Sequence, residues 1–93
     1  MSDSFYKAIA DRTRREILSL LRRHGPMSVN EIAGHFTISL PAISEHLKVL
    51  RNADLVSTRK DKQFVFYSLN TTVLEDFGSW LLDLIQRKEK NDV

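Results

Sequence analysis

The stretch Ser39-Leu40-Pro41-Ala42-Ile43-Ser44-Glu45-His46-Leu47-Lys48-Val49-Leu50 decides the fold. Ser39 is a strong N-cap, and Pro41 fits the first helical turn, where its missing N–H costs nothing. A helix is therefore expected over residues 40–53. At about 100° per residue, Ile43, Leu47 and Leu50 share one stripe and face a core, with His46 and Ala53 at its edge. The opposite side carries Pro41, Ser44, Glu45, Lys48 and Asn52. Most side chains there are small, whereas a solvated helix usually shows long charged ones. A short face lets something large come close.

What precedes this helix says what that is. Ser28-Val29-Asn30-Glu31 matches the capping box S-x-x-E and predicts a helix over residues 29–36, with Val29, Ile32, Ala33 and Phe36 inward. Thr37-Ile38 then leaves only a short connection to Ser39. Two helices so joined form a helix-turn-helix, whose second helix enters the major groove with its N-terminal residues against base edges. Ser39, Leu40, Pro41, Ala42, Ser44, Glu45 and Lys48 are the residues placed to approach the duplex. A Ser hydroxyl can donate to or accept from bases and phosphates.

Beyond this helix the period changes. Residues 55–69, LVSTRKDKQFVFYSL, are rich in Val, Thr, Phe and Tyr and read as a β-hairpin. Val65, Tyr67 and Leu69 alternate onto one face, and Phe64 and Phe66 onto the other, where they are expected to pack on a helix. The turn lacks Asn-Gly or Asp-Gly, and Lys62 stands where Gly is preferred. Arg59, Lys60 and Lys62 make a basic tip suited to duplex phosphates or the minor groove. Upstream, helices are expected over residues 4–10, with Phe5, Ala8 and Ile9 on one side, and 12–23, capped by Asp11 and ended by Gly25-Pro26. Downstream, Asn70-Thr71-Thr72 can cap a last helix over residues 73–88.

A chain of 93 residues with 42% hydrophobic and 28% charged side chains fits one small globular domain, residues 1–93. The absence of Cys rules out disulfides and thiolate metal sites. No signal peptide or membrane span is legible, so a cytoplasmic protein without membrane insertion is expected. Net charge is only +2, but it is unevenly spread. Residues 12–23 hold five Arg against Glu16, a balance of +4, while residues 71–86 hold Glu75, Asp76 and Asp83 with no Lys or Arg.

The blocks Ala10-Asp11-Arg12-Thr13-Arg14-Arg15-Glu16-Ile17-Leu18, Ser39 to Leu50 as quoted, and Phe66-Tyr67-Ser68-Leu69 together resemble the ArsR/SmtB-type winged-helix repressors of bacteria. The likeness spans nearly the whole chain. Two positions depart from the pattern: Arg12 stands where the family often has Pro, and Leu40 where a polar or basic residue is common. The thiol-free chain looks most like the branch of small autorepressors. The resemblance implies a mainly α winged helix-turn-helix of order α-α-α-α-β-β-α, a homodimer, and a double-stranded operator of inverted-repeat form. Relief of repression through a sequestering protein or a small-molecule inducer, or simple autoregulation, fits equally.

The last helix argues for a dimer on its own. Val73, Phe77, Trp80 and Leu84 form a stripe flanked by Leu74, Leu81 and Ile85. The apolar arc is about 140°, against the roughly 100° one surface helix needs. So much apolar surface on a small domain predicts an interface through the first and last helices, residues 1–10 and 71–88, centred on Phe5, Ile9, Val73, Phe77, Trp80, Leu81 and Leu84.

Metal sensing is the best-known trait of that family, yet His24, His35 and His46 are scattered without the i, i+4 pairing of a helical site, so neither a metal nor another cofactor is expected. His46 is expected to be structural, bonded to nearby backbone. No phosphate loop, nucleophile motif or His–carboxylate cluster points to an enzyme. Two rival readings remain: a winged helix used only for protein contacts, which wants an apolar or acidic reading face, and RNA binding, which wants Phe64 and Phe66 exposed as a stacking platform.

Overall fold

A computed structural model of the chain describes residues 2–86. Five helices and three strands follow in the order α1 (Asp3–Ile9), α2 (Arg12–His24), β1 (Met27–Ser28), α3 (Val29–Ala33), α4 (Leu40–Asn52), β2 (Val56–Asp61), β3 (Phe64–Leu69) and α5 (Thr72–Ile85). The expected element order holds, with one addition. Met27 and Ser28 form a short strand against Tyr67 and Phe66, so the wing is a three-stranded antiparallel sheet of order β1-β3-β2. Two residues after Pro26 carry too little pattern to announce a strand.

Caps set the helix boundaries. Asp11 Oδ1 accepts from the Arg14 amide at 3.1 Å and starts α2. Gly25, at φ +77°, ends it in a conformation that L side chains rarely adopt. Both halves of the capping box at Ser28 and Glu31 form. α3 is nevertheless shorter than the expected 29–36. After Ala33 the chain tightens into three-residue bonds, His35 N–H to Ile32 O and Phe36 N–H to Ala33 O, which close the helix as a 3₁₀-like turn. Ser39 caps α4 by accepting from the Ala42 amide. At α5, Thr71 makes no side-chain cap; Asn70 Oδ1 accepts from the Thr72 amide and Thr71 Oγ1 donates to Glu75 Oε2 at 2.8 Å. The helix ends at Ile85, with Gln86 an extended C-cap, short of the expected end at residue 88.

α1 has seven residues, too few to be stable alone, and its last four carbonyls need partners. The Ala10 amide reaches Tyr6 and Lys7 O. From α2, Arg14 Nη2 donates to Lys7 O and Nε to Ala8 O, and Arg15 Nη1 donates to Ile9 O at 2.7 Å. Two of the five arginines of the basic segment are thus engaged in closing a helix end.

The core lies where α1, α2, α3 and α4 meet the sheet. Phe5, Ile17, Leu21, Ile32, Ile43, Leu47, Leu50 and Leu55 are fully buried in it. Burial of side chains this size stabilises by about 2 kcal/mol each before conformational entropy is subtracted. Met27, Val56, Tyr67 and Leu69 close it from the sheet side. Strand register puts Val65, Tyr67 and Leu69 on one face and Phe64 and Phe66 on the other, as the alternation predicts. Of the two rings expected to pack on a helix, Phe64 is 49% exposed, just past the turn, and Phe66 beside it is half-buried.

Replacing Asp11 with Ala should lower the unfolding free energy near neutral pH by about 1 kcal/mol, the usual cost of a lost N-cap. The hydrogen bond from the Arg14 amide is the main cause holding the Asp11 carboxyl below its ordinary value of 3.8. A carboxyl so depressed stabilises fully above its unfolded value, and that contribution is lost as pH falls through the folded one. Urea unfolding of both proteins at about pH 7 and about pH 2.5 checks this; a variant as stable as the parent at neutral pH contradicts it.

Candidate nucleic-acid interface

Three apolar side chains hold α4 from behind. Ile43, Leu47 and Leu50 are each 0% exposed. Ser39, Leu40, Pro41, Ser44, Glu45 and Lys48 all reach solvent on the far side, and Ala42 is half-buried. Of the side chains expected on that face, all but the half-buried Ala42 are exposed. Ser39 has a double part: its oxygen accepts from the Ala42 amide, which leaves its O–H free to donate outward. Leu40 is 44% exposed at the helix start, an apolar group offered to solvent next to Ser44. The connection from α3 runs through residues 34–39, and Ile38 in it is also exposed.

His46 departs from expectation. Its partner is a side chain, not backbone: Arg14 Nη1 lies 3.2 Å from His46 Nδ1. A guanidinium only donates, so in this bond Nδ1 is the acceptor. Asp11 Oδ1 is 4.0 Å from the same nitrogen. Arg14 therefore joins the end of α1 to the middle of α4. It was absent from the candidate residues. Its signal was the spacing Asp11-x-x-Arg14, which puts a cation one turn from the cap carboxylate.

The wing carries its cations on different faces. Arg59 pairs with Phe66 and Lys60 with Val65 across the hairpin, so the two point to opposite sides of the sheet. Asp61 opposes Phe64, leaving a two-residue loop, Lys62-Gln63. Lys62 opens that loop at φ +57°, where Gly is preferred. Arg59, Lys60 and Lys62 are all exposed. Arg59 lies on the side shared with the exposed Phe64, and a shallow recess there is lined by Ser28, Glu31, Phe64 and Phe66.

The interface side chains expected on α1 and α5 divide in two. Phe5 is 1% exposed and packs against Phe77 in a tilted pair, ring centroids 4.9 Å apart, so it is core within one chain and offers no surface to a partner. Val73, Leu74 and Phe77 seat the first turns of α5 on that core. Trp80, Leu81 and Leu84 remain exposed, Leu84 at 64%, and no residue of α5 is buried. Ile9 is half-buried at the edge of the same region.

Two of the histidines are not scattered in space: the His24 and His35 rings lie 5.5 Å apart at the ends of α2 and α3. Among the described residues no group of three or more metal-ligating side chains occurs. No described helix is long and apolar enough to cross a membrane.

Residues 11–58 match the family model for bacterial regulatory proteins of the arsR family. The chain is 46% identical to the transcriptional repressor SdpR of Bacillus subtilis (strain 168) over 96% of its own length and 98% of that protein. It resembles an ArsR-like transcriptional regulator from Rhodococcus sp. RHA1, with a TM-score of 0.81 and 30% identity, covering 87% of this chain and 73% of that one. It also resembles the homodimeric winged helix-turn-helix DNA-binding domain of Mb0332 from Mycobacterium bovis, with a TM-score of 0.71 and 25% identity, covering 97% and 83%.

Lys62→Gly should raise thermal stability, since it removes the cost of about 1 kcal/mol that a side chain bears at positive φ. A differential scanning calorimetry midpoint that rises by a few degrees is the expected reading; an unchanged or lower midpoint shows that the Lys62 side chain is held by favourable contacts.

Proposed function

The chain belongs to the arsR family of bacterial regulatory proteins, and from that premise we propose that two copies act together in the cytoplasm as a sequence-specific transcriptional repressor of their own operon. The target is a double-stranded inverted repeat. The observation that carries this reading is the outward face of α4: small, polar at Ser39 and Ser44, cationic at Lys48, and held rigidly by a fully buried stripe. The DNA-bound chain sets that face in the major groove. Ser39, Ser44 and Lys48 donate to base edges or phosphates, Leu40 meets apolar groups such as thymine methyls, and Pro41 and Ala42 permit close approach. Glu45 can accept from a cytosine amino group.

The wing supplies the sequence-independent part. Lys62 at the tip contacts the backbone, and Arg59 and Lys60, on opposite faces, reach different strands or the minor groove between them. Each such contact releases counterions and makes affinity fall with salt. Single chain and half-site are matched one to one, so a two-fold dimer through α5, with Ile9 at its edge, sets two reading helices about one DNA turn apart, ~34 Å. Of the expected contact segments, the described residues 2–10 and 71–86 would serve both the one domain and the dimer contact. Repression is relieved when the dimer or its reading face is occupied by something else, a sequestering protein or a small-molecule inducer.

Fluorescence anisotropy of a labelled fragment from upstream of the coding region, against random duplex over a salt series, tests the reading. Specific binding that survives ~150 mM salt is expected. Equal, salt-sensitive binding to both duplexes contradicts sequence specificity, and no binding to either favours the protein-contact module. Ser44→Glu should cut specific affinity more than tenfold while thermal unfolding stays unchanged. Lys62→Ala should weaken all duplexes alike and lower the salt slope by about 1. Trp80→Glu should give monomers by light scattering; a persistent dimer places the contact elsewhere.

A further inference from the structure

Two apolar side chains at the start of the reading helix have no place in the core. Ile38 is 40% exposed and Leu40 44%, and neither belongs to the buried cluster or to the half-buried groups packed against it. Ser39 stands between them as the N-cap of α4, with an extended backbone at φ −69° and ψ 156°. An extended residue holds the Cα atoms on either side of it roughly 6.5–7 Å apart. The doublet is also anchored. The Ser39 side chain accepts from the Ala42 amide, the Ile43 amide donates to Ser39 O at 3.1 Å, and Ile43 itself is fully buried. Single exposed apolar groups are ordinary on a protein surface. Two of them at the tip of a face that is otherwise small and polar are not explained by folding.

The surface this tip meets in the major groove offers one apolar group. Base edges there are hydrogen-bond donors and acceptors, apart from the 5-methyl of thymine. Against any other edge an Ile or Leu side chain strips water from a polar group and returns no hydrogen bond. Against a methyl it removes apolar surface from water on both sides. Two thymines separated by two base-pair steps lie about 6.8 Å apart along the duplex axis, at about 3.4 Å per step. That is the separation of Ile38 and Leu40. We propose that Ile38 and Leu40 are a specificity-determining pair that reads the methyl groups of two thymines, two steps apart, in each half-site. Ser39 between them keeps an O–H for the intervening step or a phosphate. This inference rests on the DNA reading above and extends it from Leu40 alone to a spaced pair, since Ile38 precedes the helix and lies outside the face that helical periodicity marks.

The fragment from upstream of the coding region, amplified once with dTTP and once with dUTP, tests it without knowledge of the operator sequence. Uracil pairs as thymine does and lacks only the methyl. A buried methyl is worth about fourfold in affinity, so by fluorescence anisotropy the parent should prefer the thymine fragment at least about tenfold. Random duplex made both ways controls for any effect of the methyls on duplex shape. In the double variant Ile38→Ala, Leu40→Ala the preference should shrink to about twofold or less, with each single variant in between. Circular dichroism melts of the variants should match the parent, because both side chains stand in solvent. Equal parental affinity for the two fragments overturns the proposal. So does a preference that survives in the double variant, which assigns the methyls to other side chains. A parent that binds neither fragment above random duplex contradicts the operator reading itself, an outcome distinct from failure of the pair.

Discussion

The Arg14 guanidinium joins three helices, and the rest of the architecture depends on that joint. It takes up the carbonyls of Lys7 and Ala8 at the end of α1 and donates a third time to His46 Nδ1 on α4. Without these bonds the Ala8 carbonyl loses its partner and the Lys7 carbonyl keeps only the Ala10 amide. Without α1, Phe5 and Ala8 leave the core, and Phe77 loses the ring it packs against. One side chain thus couples the seat of α5 to α4. Charge-assisted bonds of this kind are stronger than neutral ones and tolerate little displacement.

Helices were legible where a cap and a period agreed. Asp11 before Arg12, Ser28 with Glu31, and Ser39 with Pro41 each announce a start by a mechanism, and each start falls where the cap places it. Ends were harder to see, because a helix stops when tertiary contacts stop rewarding it. α3 yields at Gly34 to a tighter turn although Phe36 keeps its inward position. β1 was illegible for another reason. Two residues have no period, and Met27 and Ser28 become a strand only because Tyr67 and Phe66 lie beside them.

In the candidate site the same division holds. The outward face of α4 follows from helix geometry alone, so its residues could be named in advance. His46 could be placed at the core edge, but not given its partner, since Arg14 lies 32 positions away in sequence. For the wing, alternation separates Arg59 from Lys60, a consequence of register that a count of positive charge conceals. Phe5 shows the limit of an amphipathic reading: the pattern marks an apolar face and does not say whether the chain or its copy covers it.

That question sharpens at α5. The first turns of the helix, through Phe77, touch the core; beyond them Trp80, Leu82, Leu84 and Ile85 stand in solvent, each at least 46% exposed. Helix propensity alone sustains such an extension poorly in water, since most helical stability comes from packing an apolar face. A row of exposed apolar groups this long is characteristic of a protein contact surface. Leu82 lies about 160° from Trp80 around the helix axis, so a single flat contact cannot cover both. On the proposed dimer reading a second copy therefore has to wrap the helix, or the dimer retains an apolar edge at Leu82. In either case the elements that would fix the distance between two reading helices are those Arg14 ties to α4, so on the proposed reading dimer geometry and DNA geometry cannot vary independently.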